Sequence, residues 1–81
     1  MRFLLTSKAR RDYERLAKEL QKTADRQFLL LLRDIRHPSL HAKKYDERRD
    51  IWQARLTRGW RFYFQIREDV YHIVAVVRHP K

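Results

Sequence analysis

Arginine and histidine residues near the end of this sequence have the types and spacing to bind a phosphate and transfer a proton. Arg55 and Arg61 lie on either side of a short turn, and the chain closes with Arg78, His79 and Lys81. A guanidinium presents a planar fork of donors that matches two phosphate oxygens. An imidazole, with an ordinary pKa of about 6.5, can hold or release a proton near neutrality. These groups can act together only if the fold brings them to one place.

The segment from Ile51 to Lys81 predicts three consecutive antiparallel strands, because its apolar residues alternate over 51–56, 60–66 and 70–77. The apolar faces of the first two strands match in only one register, since a slip by one residue turns every side chain over. That register pairs Leu56 with Trp60, Ala54 with Phe62, and Trp52 with Phe64. It leaves a three-residue loop, 57–59, with the only glycine of the chain where a positive φ is favoured.

The same register places Arg55 directly opposite Arg61 on the face away from the core. Like charges in facing positions destabilise a strand pair. A bound anion between the two guanidinium groups explains this placement better than a structural role does. Tyr63 shares the face of Arg61 and could stack on a base.

The last strand is expected to bring the terminal residues to the same end of the sheet. Pairing Ile66 with Tyr71 predicts that the core face continues with Ile73, Ala75 and Val77. Antiparallel geometry then sets the end of this strand beside the start of the one before it. Arg78, His79 and Lys81 should therefore lie near Arg61.

The first half of the chain predicts one strand and two helices that support this sheet. Phe3–Leu5 is the strand, and Thr6 or Ser7 can cap a helix over Lys8–Leu20. Thr23 can cap a second helix over Ala24–Arg36, which should end near His37 because Pro38 disfavours helical geometry at the residue before it. Leu29 and Leu30 widen its apolar stripe, which indicates a second surface to be buried. Ser39–Asp50 is predicted to be a functional loop in which Lys43 and Lys44 contact the substrate.

Composition limits the classes of protein that need to be considered. Residues 1–81 fit a single domain, without cysteine for disulfides and without histidine spacing typical of a metal site. No apolar run is long enough to cross a bilayer, so a cytoplasmic protein is expected. The formal net charge is +10, and each half of the chain has ten basic and five acidic residues. A folded basic domain of this kind favours a polyanionic partner such as nucleic acid or the ribosome.

The hairpin pattern Trp-x-x-Arg-Leu-x-x-Gly-Trp-Arg-x-x-x-Gln resembles the RelE/ParE superfamily of toxins from bacterial toxin–antitoxin systems. Its most specific segment is Leu56–Ile66, which contains the run GWRFYFQI. The resemblance implies an α+β fold in which two N-terminal helices pack on a small antiparallel sheet, in the order β-α-α-β-β-β. One departure is Gln53, which stands where some members have a lysine.

The resemblance further implies a toxin that cleaves mRNA on the ribosome without metal or other cofactor, and that is neutralised by a cognate antitoxin protein. Arg61 matches the arginine that contacts the phosphate at the cut, and His79 and Lys81 fall where a C-terminal catalytic residue stands. Arg55, Arg78, Lys43 and Lys44 would bind RNA.

Two other functions fit the same sequence. One is a ParE-type inhibitor that binds DNA gyrase, and the other is a basic module that binds RNA or the ribosome without catalysis. His79 and the facing pair Arg55 and Arg61 favour the nuclease, because a gyrase binder does not need a histidine beside a phosphate site.

Overall fold

Two helices and five strands form the fold in a computed structural model that describes residues 1–79. In chain order the elements are β1 (Arg2–Leu5), α1 (Ser7–Glu14), α2 (Lys18–Arg33), a 3-10 turn (Pro38–Leu40), β2 (Lys43–Asp46), β3 (Ile51–Thr57), β4 (Trp60–Arg67) and β5 (Val70–Arg78). The sheet order is β1-β5-β4-β3-β2. The predicted α+β class, with two N-terminal helices on a small sheet, is confirmed.

The sheet differs from the prediction at both edges. β1 runs parallel to β5, so the sheet is mixed rather than purely antiparallel. β2 lies inside the segment Ser39–Asp50, which was predicted to be a loop, and it pairs with the start of β3. Its sequence, KKYD, is polar because this short strand is an edge of the sheet, where charged side chains are common. A polar edge strand of four residues does not show the apolar alternation on which the prediction relied.

The helices begin and end at other residues than the sequence pattern indicated. Thr6 caps α1 as predicted, accepting a hydrogen bond from the Ala9 N–H at 3.2 Å. The chain then turns after Glu14, and α2 already begins at Lys18, so the predicted helices Lys8–Leu20 and Ala24–Arg36 are both wrong in their limits. Thr23 lies within α2, where its hydroxyl donates to the Glu19 carbonyl. The apolar spacing continues across the corner because both helices face the same sheet.

The end of α2 also comes earlier than expected. The helix stops at Arg33, since Asp34 adopts an extended conformation, and Pro38 instead begins the 3-10 turn. Neither helix within residues 1–79 is long and apolar enough to cross a membrane.

The hydrophobic core lies between α2 and one face of the sheet. The Phe28 ring meets the Phe62 ring edge-on, with 5.1 Å between their centroids, and lies 5.4 Å from the Phe3 ring. The largest fully buried side chains are Phe28, Phe62, Phe64, Leu31, Leu40 and Ile73. Burial of each contributes about 1.5–3 kcal/mol relative to exposure. Trp52 and Trp60, which were expected in the core, are half-buried at its margin.

Most of the predicted strand register is confirmed. The confirmed pairs are Trp52 with Phe64, Ala54 with Phe62, Arg55 with Arg61, and Ile66 with Tyr71. The register follows from burial, since Ala54 and Phe62 must face the helices and the alternation then carries their neighbours to the open face.

The turn between β3 and β4 was predicted wrongly. Trp60 pairs with Thr57 rather than with Leu56, so the turn has two residues, Arg58 and Gly59. A bulge at Leu56 absorbs the offset and keeps that side chain buried. Gly59 does not have a positive φ. The bulge reconciles a two-residue turn with the pairing that the apolar faces require.

A second bulge changes the core positions of β5. It follows Ile73, and Val76 is buried beyond it. Ala75 and Val77, which were predicted to face the core, lie on the open face instead. The inserted residue shifts the alternation by one position.

Asp12 fastens α1 to β5 beside this second bulge. One carboxylate oxygen accepts a hydrogen bond from the Val76 N–H at 3.0 Å and another from Lys8 Nζ at 2.8 Å. Partial burial raises the pKa of Asp12, but the hydrogen bonds from Lys8 and Val76 and the charges of Lys8 and Arg15 outweigh it. The pKa is therefore lowered from 3.8.

Replacing Asp12 with alanine should lower the free energy of unfolding by about 1–3 kcal/mol, because the Val76 N–H loses its acceptor. Because the pKa of Asp12 is lower in the folded protein, its ionised carboxylate contributes fully to the stability of the fold at a pH above the pKa of the unfolded state. This contribution is lost as the pH falls through the pKa of the folded state. Urea unfolding at pH 7 and pH 3 should thus show a smaller difference between wild type and Asp12→Ala at pH 3. Lys8→Ala, which removes only the mostly exposed lysine and leaves the hydrogen bond between Asp12 and Val76, should cost no more than about 0.5 kcal/mol. An Asp12→Ala effect as small as that of Lys8→Ala would contradict the fastening role.

Candidate functional site

Arg55 and Arg61 face each other on the open side of the sheet, as predicted. Arg61 Nη1 donates to the Thr57 carbonyl at 3.0 Å and to the Trp60 carbonyl at 3.2 Å. The backbone carbonyl of Arg55 accepts a hydrogen bond from the Gln27 side-chain amide at 2.9 Å. The β3–β4 turn and α2 therefore position the two arginines in spite of their mutual repulsion.

A polar cavity of about 360 Å³ opens beside these arginines, lined by His41, Ala42, Lys43, Gln53, Arg55 and Arg61. Strand pairing brings these residues together, because Lys43 on β2 pairs with Gln53 on β3, two residues before Arg55. The cavity combines three cationic side chains, one imidazole and one amide. Lys43, which was predicted to bind RNA from a loop, reaches the site from β2.

The cationic side chains of the cavity are not neutralised by carboxylates. No ion pair within residues 1–79 involves Lys43, Arg55 or Arg61. Arg55 Nε is buried and has no hydrogen-bond partner among these residues. A buried donor without an acceptor costs free energy, which an oxygen of a bound anion would recover. The arrangement is therefore suited to a phosphate.

Lys44 does not join the cavity, although it was predicted to bind RNA together with Lys43. It pairs with Trp52 on the helix side of the sheet, with Nζ 5.1 Å from the centroid of the Trp52 ring. Nζ also lies 2.5 Å from an Asp50 carboxylate oxygen. The hydrogen bond to Asp50 and the charges of Asp50 and Glu47 raise the pKa of Lys44. Its charge is thus already balanced within the chain.

Of the terminal residues predicted to lie at the site, His79 and Arg78 are held near the β3–β4 turn by different backbone contacts. The His79 N–H donates to the Gly59 carbonyl at 2.8 Å, which holds the backbone of His79 beside the start of β4. Arg78 pairs with Trp60 and so shares its face, whereas Val77 is the residue that pairs with Arg61. The backbone of Arg78 therefore lies near the start of β4, as predicted. Its position in the strand, however, belongs to the opposite face of the sheet from Arg61, which was not predicted. Lys81 lies outside the described residues.

Solved structures of toxins share this architecture over nearly their full length. A YoeB/ParE toxin from Agrobacterium tumefaciens aligns with a TM-score of 0.82 and 15% identity, covering 99% of this chain and 100% of that one. An archaeal RelE–RelB complex from Pyrococcus horikoshii gives a TM-score of 0.82 and 14% identity, covering 99% and 96%. The isolated E. coli RelE toxin aligns with a TM-score of 0.76 and 13% identity, covering 98% of this chain and 84% of that one. The chain has the fold of the RelE and YoeB toxins.

The resemblance noted in the segment Leu56–Ile66 is thereby confirmed at the level of the fold. No protein-family model matches the sequence, and a search of curated proteins finds no match. At the identities of these toxin structures, similarity establishes the RelE/YoeB fold alone. The chemistry of the cavity has to be argued from the residues of this chain.

His41 lines the cavity but was not predicted from the sequence to be a site residue. It ends the 3-10 turn in a left-handed conformation, with φ of 48° and its N–H bonded to the Pro38 carbonyl. That turn places His41 among the residues that line the cavity of Arg55 and Arg61. Sequence reading found four histidines without common spacing, and only the pairing of β2 with β3 distinguishes this one.

Proposed function

We propose that this protein is the toxin of a type II toxin–antitoxin system and that it cleaves mRNA on the ribosome. The observation that carries the proposal is the cavity in which Arg55, Arg61 and Lys43 converge, none of them ion-paired within residues 1–79. The RelE/YoeB fold supports it, since the solved neighbours are named as toxins or toxin–antitoxin complexes.

In the proposed reaction the 2′-hydroxyl of the RNA attacks the adjacent phosphorus. A base takes the hydroxyl proton as the new oxygen–phosphorus bond forms. The bond from phosphorus to the 5′-oxygen then breaks, and an acid supplies the proton that this oxygen needs. The products are a 2′,3′-cyclic phosphate and a 5′-hydroxyl. No resident metal or cofactor enters this scheme.

Arg61 is proposed to stabilise the extra negative charge that develops on the phosphate, because its fork of donors can contact two oxygens. Arg55 and Lys43 would orient the RNA backbone in the same cavity. His41 lines the cavity from the β3 side, and His79 follows β5 on the other side of β4. We assign proton transfer to these two histidines. Lys81 remains a prediction from the resemblance.

Primer extension on a message held on programmed ribosomes tests the proposal. Wild-type protein should produce new 5′ ends at the codon in the ribosomal A site, and the same message without ribosomes should stay intact. A folded sample that produces no new ends, on or off the ribosome, would contradict a nuclease. Gyrase supercoiling assayed in parallel would then decide whether the ParE-type activity replaces it.

A groove between α2 and the edge of β3 is the proposed site for the antitoxin partner. It has a volume of about 650 Å³, and Leu29, Leu30 and Leu56 line it together with Arg26, Arg33 and Arg55. Leu29 is 55% exposed, which agrees with the second surface predicted from the wide apolar stripe of α2. An acidic amphipathic segment matches leucines bordered by arginines. Because Arg55 also lines the candidate active cavity, such a segment would contact the RNA site from the helix side.

Leu29→Asp should weaken binding of the antitoxin by about 30-fold, because it puts a carboxylate at the apolar centre of the groove. The partner for the measurement is an acidic amphipathic protein from a neighbouring gene, titrated by calorimetry. Leu4→Asp is the matched control, since Leu4 is a comparably exposed leucine on β1, far from the groove. Equal weakening by the two substitutions, or none by Leu29→Asp, would place the antitoxin elsewhere.

A further inference from the structure

A pair of tyrosines on the open face of the sheet is not explained by the phosphate cavity. The Tyr45 and Tyr63 rings lie 4.9 Å apart, at an interplanar angle of 52°. Tyr45 is 61% exposed, one of the four large apolar or aromatic side chains with high exposure within residues 1–79. Tyr63 beneath it is half-buried.

A bulge in β2 produces this contact. The pairing of β2 with β3 shifts between Lys44 and Asp46, so that Tyr45 is the inserted residue. Bulges redirect side chains, and here the Tyr45 ring reaches across β3 to Tyr63 on β4. A ring that is mostly exposed buries little apolar surface, so its contribution to folding is small.

The tyrosine pair adjoins the candidate phosphate site. Tyr63 and Arg61 are two residues apart on β4 and therefore point to the same face, about 6.7 Å apart along the strand. Burial and the neighbouring Tyr45 raise the pKa of Tyr63, whereas the charge of Arg61 lowers it. One ribose can bridge a separation of about 6.7 Å along the strand.

We propose that Tyr45 and Tyr63 form a stacking platform for a nucleobase of single-stranded RNA whose phosphate lies at Arg61. An exposed ring beside a cationic cavity is the arrangement by which single strands are held, because every base has a face that can stack on an aromatic ring. The platform rests on the proposed function, since it assumes that RNA is the ligand of the cavity. It adds a base subsite to a cavity that contacts only phosphate and sugar.

Binding of a short fluorescein-labelled RNA, methylated at every 2′-oxygen so that it cannot be cleaved, tests the platform by anisotropy. Tyr45→Leu should weaken binding about tenfold, and Tyr45→Phe should bind as wild type, because stacking needs the ring and not the hydroxyl. Leu4→Ala is the control, since Leu4 is an exposed residue on the opposite edge strand. A series of RNAs with one abasic position each should contain one that removes the difference between Tyr45→Leu and wild type.

The outcomes separate the platform from the proposed function. Wild-type affinity in Tyr45→Leu, or a loss shared equally by Tyr45→Phe, overturns stacking while leaving the nuclease in place. A Tyr45→Leu loss that persists with every abasic RNA also overturns it. Failure of the wild-type protein to bind this RNA counts against the RNA-binding cavity itself, and with it against the platform. Melting curves of each variant establish that it is folded.

Discussion

Arg61→Ala is expected to lower the rate of RNA cleavage on ribosomes by about 10²–10³-fold. Preorganised donors that meet the charge developing in a transition state have effects of this size when one is removed. Arg61 is preorganised in this way, because its Nη1 is anchored to the carbonyls of Thr57 and Trp60. Single-turnover primer extension, with the extent of cleavage followed over time, measures the loss.

Two further substitutions define what Arg61 contributes. Arg61→Lys keeps the charge but loses the fork of donors, so it should recover only part of the rate. Arg67→Ala is the matched control, because Arg67 is an exposed arginine at the far end of the same strand. The loss in Arg61→Ala could also come from loosening of the β3–β4 turn, and thermal melting of the variant detects that. Cleavage at the wild-type rate by a folded Arg61→Ala protein would remove Arg61 from the mechanism.

The juxtaposition of Arg55 and Arg61 could be predicted because side chains alternate strictly in a strand. Apolar residues on one face fix the register, and the register then fixes which polar residues meet on the other face. Ala54 opposite Phe62 leaves Arg55 opposite Arg61. The prediction was correct even though the turn beside it was wrong, because the bulge at Leu56 cancels the error before the arginines are reached. Burial in the middle of the strands decided the result.

The helix limits and β2 could not be predicted, for a common physical reason. A corner between two helices that cover the same sheet keeps the apolar spacing continuous, so the pattern does not mark the turn after Glu14. β2 is stabilised by hydrogen bonds to β3 and by side chains such as Lys44 over Trp52, rather than by an apolar face of its own. Both features depend on contacts between distant segments. Local composition therefore has no signal for either.

The same dependence on tertiary contacts explains which site residues were missed. Lys43 and Lys44 are adjacent in the chain and were assigned one role, but β2 sends them to opposite faces of the sheet. His41 had no distinguishing neighbour in sequence, and it lines the cavity only because the 3-10 turn ends just before β2. The bulge in β5 likewise separates Arg78 from the face of Arg61. Residues on β3 and β4 were predictable, whereas those that reach the site from β2, the 3-10 turn and β5 were not.

Replacing His41 or His79 with alanine should each lower cleavage by about 10²-fold or more, the usual contribution of a general acid or base. His41 lines the cavity with Arg61, and the His79 backbone is bonded to Gly59 just before β4, so we place the two on opposite sides of a phosphate held at Arg61. His72→Asn is the control, since His72 lies on β5 opposite Gln65, towards the other end of β4. It should cleave at the wild-type rate.

The pH dependence of single-turnover cleavage would distinguish the two roles. With one imidazole acting as base and the other as acid, the wild-type profile should be bell-shaped. Loss of the base removes the limb on the acidic side, where that group must be deprotonated, and loss of the acid removes the limb on the basic side. His41→Ala and His79→Ala should therefore lose opposite limbs. If His79→Ala keeps both limbs and nearly full rate, proton transfer on that side belongs to another group, and Lys81→Ala is the next variant to measure. If His41→Ala does so instead, the imidazole at the cavity binds RNA without transferring a proton.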